Sequence, residues 1–145
     1  MKKNLLPSRA FGLLLCAGFF LTTVSCSHKV GFTQSSVVPA AQGSIKMKKD
    51  NNNNYKIEVS VTNLAPPDRL QPPHSVYVVW IETEQNGTKN IGQLNSESGF
   101  LSKALKGSLT AISPYKPTRL FITAEDNAAI QFPNSMVVLS TDRFN

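Results

Sequence analysis

Hydrophobic and polar residues alternate most cleanly in YKIEVSVTNL, residues 55–64. Tyr55, Ile57, Val59 and Val61 fall on one side, and Lys56, Glu58, Ser60 and Thr62 on the other. A period of two predicts a strand with one buried face and one wet face. SIKMKKD, from Ser44, repeats the pattern, with Ile45 and Met47 opposed to Lys46 and Lys48. DNNNN, residues 50–54, lies between them. Asn and Asp tolerate left-handed backbone, so the two segments are predicted to pair as a hairpin.

Further on, VYVVWIETE (76–84) is apolar on both faces through Ile81 and predicts a central strand. Its expected partner is NIGQLN (90–95), reached through Asn86-Gly87, a strong hairpin signal because both residues accept positive φ. In FLSKALKGSLTAI (100–112), Leu101, Leu105 and Leu109 recur at a spacing that suits a helix. Gly107 and Ser108 weaken a helix, so we read a strand with its odd positions inward. TRLFITAED (118–126) and SMVVLST (135–141) add two more buried strands. LAPPDRLQPPHS (64–75) carries four prolines, which cannot donate to a ladder, and predicts an extended crossover between sheets. It has no PxxP spacing of a proline-rich ligand. About seven short strands separated by turn signals predict an all-β, two-sheet antiparallel sandwich of Greek-key type.

The first 25 residues follow a different pattern. MKKNLLPSR supplies Lys2, Lys3 and Arg9, and AFGLLLCAGFFLTTV (10–24) then runs without a charge. A basic start, an apolar stretch and small residues after it predict an export signal. The stretch is shorter than the roughly 20 residues a membrane-crossing helix needs. An uncleaved anchor is the competing reading, since no charge appears between Arg9 and His28.

The chain has two cysteines. Cys16 follows Leu15 inside the apolar stretch, where cleavage would require a small residue. Cys26 follows Thr23, Val24 and Ser25. TVSC resembles the lipobox of bacterial lipoproteins, in which a signal peptidase cuts before a cysteine bearing a diacylglyceryl thioether. Thr23 departs from the Leu usual at the first position, and ordinary signal peptidase cleavage after Ser25 is the rival. The resemblance implies residues 1–25 as a lipoprotein signal peptide and Cys26 as the lipidated residue; small and polar residues then read 26–43 as a tether, and the strand pattern places the sandwich at 44–145. A short edge strand is expected at 36–38. Ser27 stands where an aspartate would favour inner-membrane retention, so the expected location is the cell envelope, at the outer membrane.

Charge then changes meaning. The full chain has 15 basic and 9 acidic residues, a formal net charge of +6. Residues 1–25 hold three of the basic residues and none of the acidic ones, which leaves 12 − 9 = +3. Much of the basicity belongs to the export signal, which argues against nucleic acid as a partner. With Cys16 removed and Cys26 acylated, the sandwich must be held by its core alone, which a domain of this size can supply.

Convergent chemistry is sparse, and the expectation is a non-enzymatic chain with no cofactor and no metal. His28, in the tether, and His74, in the crossover, are isolated and make a weak metal case. Glu82 and Glu84 are two apart, like a carboxylate pair, but read better as the solvated face of a hairpin arm. Glu125, Asp126 and Asn127 are oxygen-rich, yet fit a capped turn better than a calcium site. Trp80, the lone tryptophan, is expected in the core of the sandwich. Asn86-Gly87-Thr88 matches a glycosylation sequon, but the turn explains it.

The stretch VYVVWIETEQNGTKNIGQL (76–94) resembles the strand–turn–strand core of the C-terminal extracytoplasmic domain of anti-sigma-K factors. The matching residues are Tyr77 and Trp80, then Gly87, then Gly92 and Leu94. The resemblance implies an immunoglobulin-like sandwich on the outer side of a membrane, and as an alternative function an extracytoplasmic sensory or regulatory module. It does not carry over sigma-factor binding, because only a signal peptide precedes the tether. The expected partners are the membrane, through the lipid, and a protein or envelope component of unknown identity.

Overall fold

The computed structural model describes residues 27–98 and 105–144. The expected signal at 1–25, Cys26 and Leu101 lie outside them. Nine strands run β1 (His28–Gly31), β2 (Gln42–Lys49), β3 (Tyr55–Leu64), β4 (Val76–Thr83), β5 (Gly87–Gln93), β6 (Asn95–Ser98), β7 (Leu105–Ser113), β8 (Arg119–Glu125) and β9 (Val137–Ser140). They form two antiparallel sheets, in the orders β1-β2-β3-β7-β6 and β5-β4-β8-β9. The strands β2, β3, β7 and β6 face β4, β8 and β9 as strands A, B, E and D face C, F and G in an immunoglobulin domain. β5 holds the C′ place beside β4. The fold is the expected all-β, immunoglobulin-like sandwich.

Alternation builds the core. Ile45, Ile57, Val59 and Val61 from the first sheet meet Tyr77, Val79, Ile81, Leu120, Ile122 and Leu139 from the second, all buried. The odd positions of β7 also turn inward, with Leu105 and Leu109 packed on this core and Gly107 buried, so the segment is a strand. In β3 the inward phase skips from Val61 to Leu64, because Asn63 sits at φ 58° and shifts the register. The 50–54 hairpin closes as expected, with Asn53 at φ 65° and Asp50 Oδ1 accepting from the backbone N–H groups of Asn52 and Asn54. The proline-rich segment does cross from the first sheet to the second, with one 3₁₀ turn at Pro67–Arg69.

Four expectations are corrected in detail. The segment 27–43 is built into the sandwich: β1 pairs with β2, and Thr33 and Ser35 bond across to Ser140 and Val138 of β9. Residues 36–38 form a bend rather than a strand, with Val38 buried. The hairpin at 84–86 places only Gly87 in left-handed backbone, at φ 66°, as in a three-residue loop followed by a bulge. The stretch 90–95 is two strands, because the chain leaves the second sheet at Gln93 and enters the first at Asn95.

The two outer faces differ. On the second sheet, Val78, Trp80 and Phe121 form a separate small cluster with Ile130. Trp80 is fully buried there, its ring stacked on Phe121 at 6.3 Å and its Nε1 donating to Thr123 Oγ1 at 2.8 Å. The tryptophan therefore faces away from the inter-sheet core, which Tyr77, Val79 and Ile81 fill. An arm at 126–136 covers it, held by Asn90, whose Nδ2 donates to the carbonyls of Ala128 and Ile130 at 2.9 Å each. The outer face of the first sheet carries polar and charged side chains.

Candidate functional site

Ser27 follows Cys26 in the chain, and the first sheet begins at His28. Ser27 lines a shallow hollow with Lys46, Met47, Lys48, Lys56 and Glu58. The strand registers align two rows across this outer face. Lys29, Lys46, Glu58 and Thr110 form one, and Lys48, Lys56 and Ile112 form the next. All four lysines are exposed, and Ile112 is 68% exposed. Lys56 Nζ lies 2.6 Å from Glu58 Oε1. The hydrogen bond from Lys56, its charge, and more weakly that of Lys46 hold the Glu58 carboxyl below the usual carboxylate range.

At the far end of β4, Glu82 is partly buried and gripped from two sides. Arg119 Nη1 donates to Oε1 at 3.0 Å, and Arg143 Nη2 to Oε2 at 2.9 Å. Its backbone carbonyl also accepts from Thr118 N at 2.8 Å, and Thr118 O accepts from Phe144 N at 2.8 Å. Glu82 thus fastens the C-terminal segment, which corrects the expectation that it is simply solvated. Glu84 stands exposed in the turn beyond β4, so the two carboxylates do not act as a pair.

The fold brings together three residues that the sequence keeps far apart. His74 Nδ1 lies 3.1 Å from Asp126 Oδ1, and His74 Nε2 lies 2.9 Å from Ser135 Oγ. With Nδ1–H donating to the carboxylate, Nε2 accepts from the serine hydroxyl. This is the connectivity of a serine-hydrolase relay, but the exposure runs the wrong way. In such a relay the carboxylate is buried, whereas the Asp126 side chain is 78% exposed and that of His74 only 9%. The chain of bonds ties the crossover to the arm at 126–136. Glu125 is buried and accepts from Asn134 N at 3.1 Å, and Asn127 Oδ1 accepts from Ala129 N at 2.9 Å. One oxygen of each residue in the acidic run thus serves a different contact. Among the described residues, no three of His, Cys, Asp and Glu gather to hold a metal ion. Nor is any helix there long and apolar enough to cross a membrane.

The residues behind the anti-sigma-like stretch all have architectural tasks. Tyr77 faces the core, and its carbonyl accepts from Leu94 N at 2.9 Å where the chain changes sheets. Gly87 makes the turn, and Gly92, at φ 127°, follows the bulge at Ile91. Sequence reasoning missed the Arg119–Glu82–Arg143 clamp and the His74 chain, whose bonded pairs lie 37 or more positions apart. It also missed β1, although Val30 and Phe32, two apart, carry an alternation signal there and do pack on the core. No protein-family model, curated protein or solved structure matches this chain.

Proposed function

We propose that this is an exported protein of the cell envelope, acylated at Cys26 and held at the outer membrane by that lipid. Its β-sandwich serves as a non-enzymatic module for binding another envelope component. The observation that carries the reading is a coincidence of boundaries. The uncharged apolar run ends at Val24, Cys26 follows two residues later, and by His28 the chain is already paired into the first sheet. A cysteine at that junction suits an anchor at the edge of a folded domain. The non-enzymatic part is supported by how the polar groups are spent: Glu82 on two arginines, Glu125 on a backbone N–H, His74 on two loop side chains.

Metabolic labelling with a palmitate analogue tests the anchor. The wild type incorporates label and Cys26→Ser does not. Equal absence of label from both would refute the anchored reading. Cross-linking in intact cells, followed by purification from native membranes, then identifies what the sandwich binds.

A further inference from the structure

We propose that the lysine corner of the first sheet rests on anionic phospholipid headgroups, so that the sandwich lies against the bilayer. The inference rests on the lipid-anchored reading and adds to it the surface that faces the membrane.

Position is the first argument. A tether of some seventeen residues would let the domain stand clear of the headgroups, but here 27–43 belongs to the fold. Ser27, next to the anchoring cysteine, shares its hollow with Lys46, Lys48, Lys56 and Glu58. Whatever membrane holds Cys26 therefore meets this corner before any other part of the sandwich.

Charge is the second argument. Lys29, Lys46, Lys48 and Lys56 stand against one acidic residue, Glu58, in the two adjoining rows. That corner carries +3, and the chain from Cys26 onward carries 12 − 9 = +3 in total. The rest of the exported domain is balanced, so the net charge sits beside the anchor. A basic cluster gains free energy near an anionic leaflet only within about a Debye length, roughly 8 Å at physiological salt. The corner meets that requirement only because no free tether separates it from Cys26. Ile112, 68% exposed at the end of the Lys48–Lys56 row, places an apolar side chain at headgroup level. The acyl chains do the holding, and the lysines set the orientation. The second sheet, with its arm at 126–136, is then turned away from the bilayer and left free for a partner.

The test uses the mature acylated protein, reconstituted into vesicles of phosphatidylcholine alone or of phosphatidylcholine and phosphatidylglycerol in equal parts. A neutral amine-acylating reagent is applied, and each lysine is quantified by peptide mass spectrometry. In the anionic vesicles Lys29, Lys46, Lys48 and Lys56 are acylated about fivefold more slowly, as expected for a lysine held at an anionic surface. Lys106, opposite Glu97 on the same face but away from this corner, keeps its rate. Salt at about 1 M, where the Debye length falls to about 3 Å, restores the rates of all four. Vesicle-bound protein whose four lysines react equally in both membranes overturns this inference and leaves the anchor standing. Protein that carries no lipid and stays out of both vesicle types overturns the anchor, and this inference with it.

Discussion

Replacing Asn90 with alanine should loosen the arm over Trp80. The Asn90 side chain makes two bonds across to that arm, to the carbonyls of Ala128 and Ile130 at 2.9 Å each. Its Oδ1 also accepts from Gly92 N at 2.9 Å, which braces the bulge from which it reaches. A neutral hydrogen bond contributes about 1 kcal/mol net, so the two crossing bonds hold the arm by about 2 kcal/mol. Losing them raises the open population of the arm about thirtyfold. The third bond brings the loss in global unfolding free energy to about 2–3 kcal/mol. Trp80 is the only tryptophan and is fully buried beneath the arm, so it reports the change without interference. Asn90→Ala should shift tryptophan emission to the red and steepen acrylamide quenching, and chemical denaturation should show the stability loss. An emission maximum and quenching slope equal to wild type, with an unchanged unfolding midpoint, would refute the arm-and-cover arrangement.

Three further outcomes follow from the same geometry. A double-mutant cycle on Glu82→Ala and Arg119→Ala should give a coupling of about 1–2 kcal/mol, because both groups are partly shielded. The cycle with Arg143→Ala should give about 0.5 kcal/mol or less, since Arg143 is 75% exposed; equal couplings would contradict the clamp as described. Burial, aided by the charge of Asp68, pushes the Tyr77 phenol up to about 12 from 10.0, while its hydroxyl donates to Ala65 O at 2.8 Å. An unfolded tyrosine ionises first, so stability is full below pH 10 and falls as pH rises toward 12, by up to about 2 kcal/mol. Tyr77→Phe lacks this component, and denaturation curves that fall in parallel for both proteins across that range would refute it. Finally, a Cβ at Gly43 would lie 2.5 Å from Ser60 O, whereas one at Gly31 meets nothing within 4 Å. Gly43→Ala should therefore cost about 1–3 kcal/mol and Gly31→Ala less than about 0.5 kcal/mol; similar thermal midpoints would contradict the close approach of β2 to β3.

The sandwich was legible because alternation is local and strong where one face is wet, as in β2 and β3. Where both faces are covered the signal weakens. β4 reads as a continuous apolar run, and nothing in VYVVWI says which of Tyr77 and Trp80 joins the inter-sheet core. Their opposite parity separates them, but choosing which parity faces the core requires knowing that the arm at 126–136 covers the other side. The same limit hid the sheet change at Leu94, since a strand that crosses between sheets keeps its extended backbone. Candidate chemistry was less legible still. Glu82 looks like any exposed carboxylate until β8 and the C-terminal segment bring Arg119 and Arg143 to it. His74 meets Asp126 and Ser135 only because the crossover and the arm end side by side. Cys26 is the opposite case: its proposed chemistry is written in the adjacent residues, and the fold contributes only the place where the sheet begins.

The most direct measurement is the intact mass of the protein extracted from cell membranes, with fragmentation to locate any modification. The protein is expected to begin at Cys26 and to carry diacylglycerol on the Cys26 sulfur. A chain that begins at Cys26 with a free thiol, or one that retains residues 1–25, would contradict it.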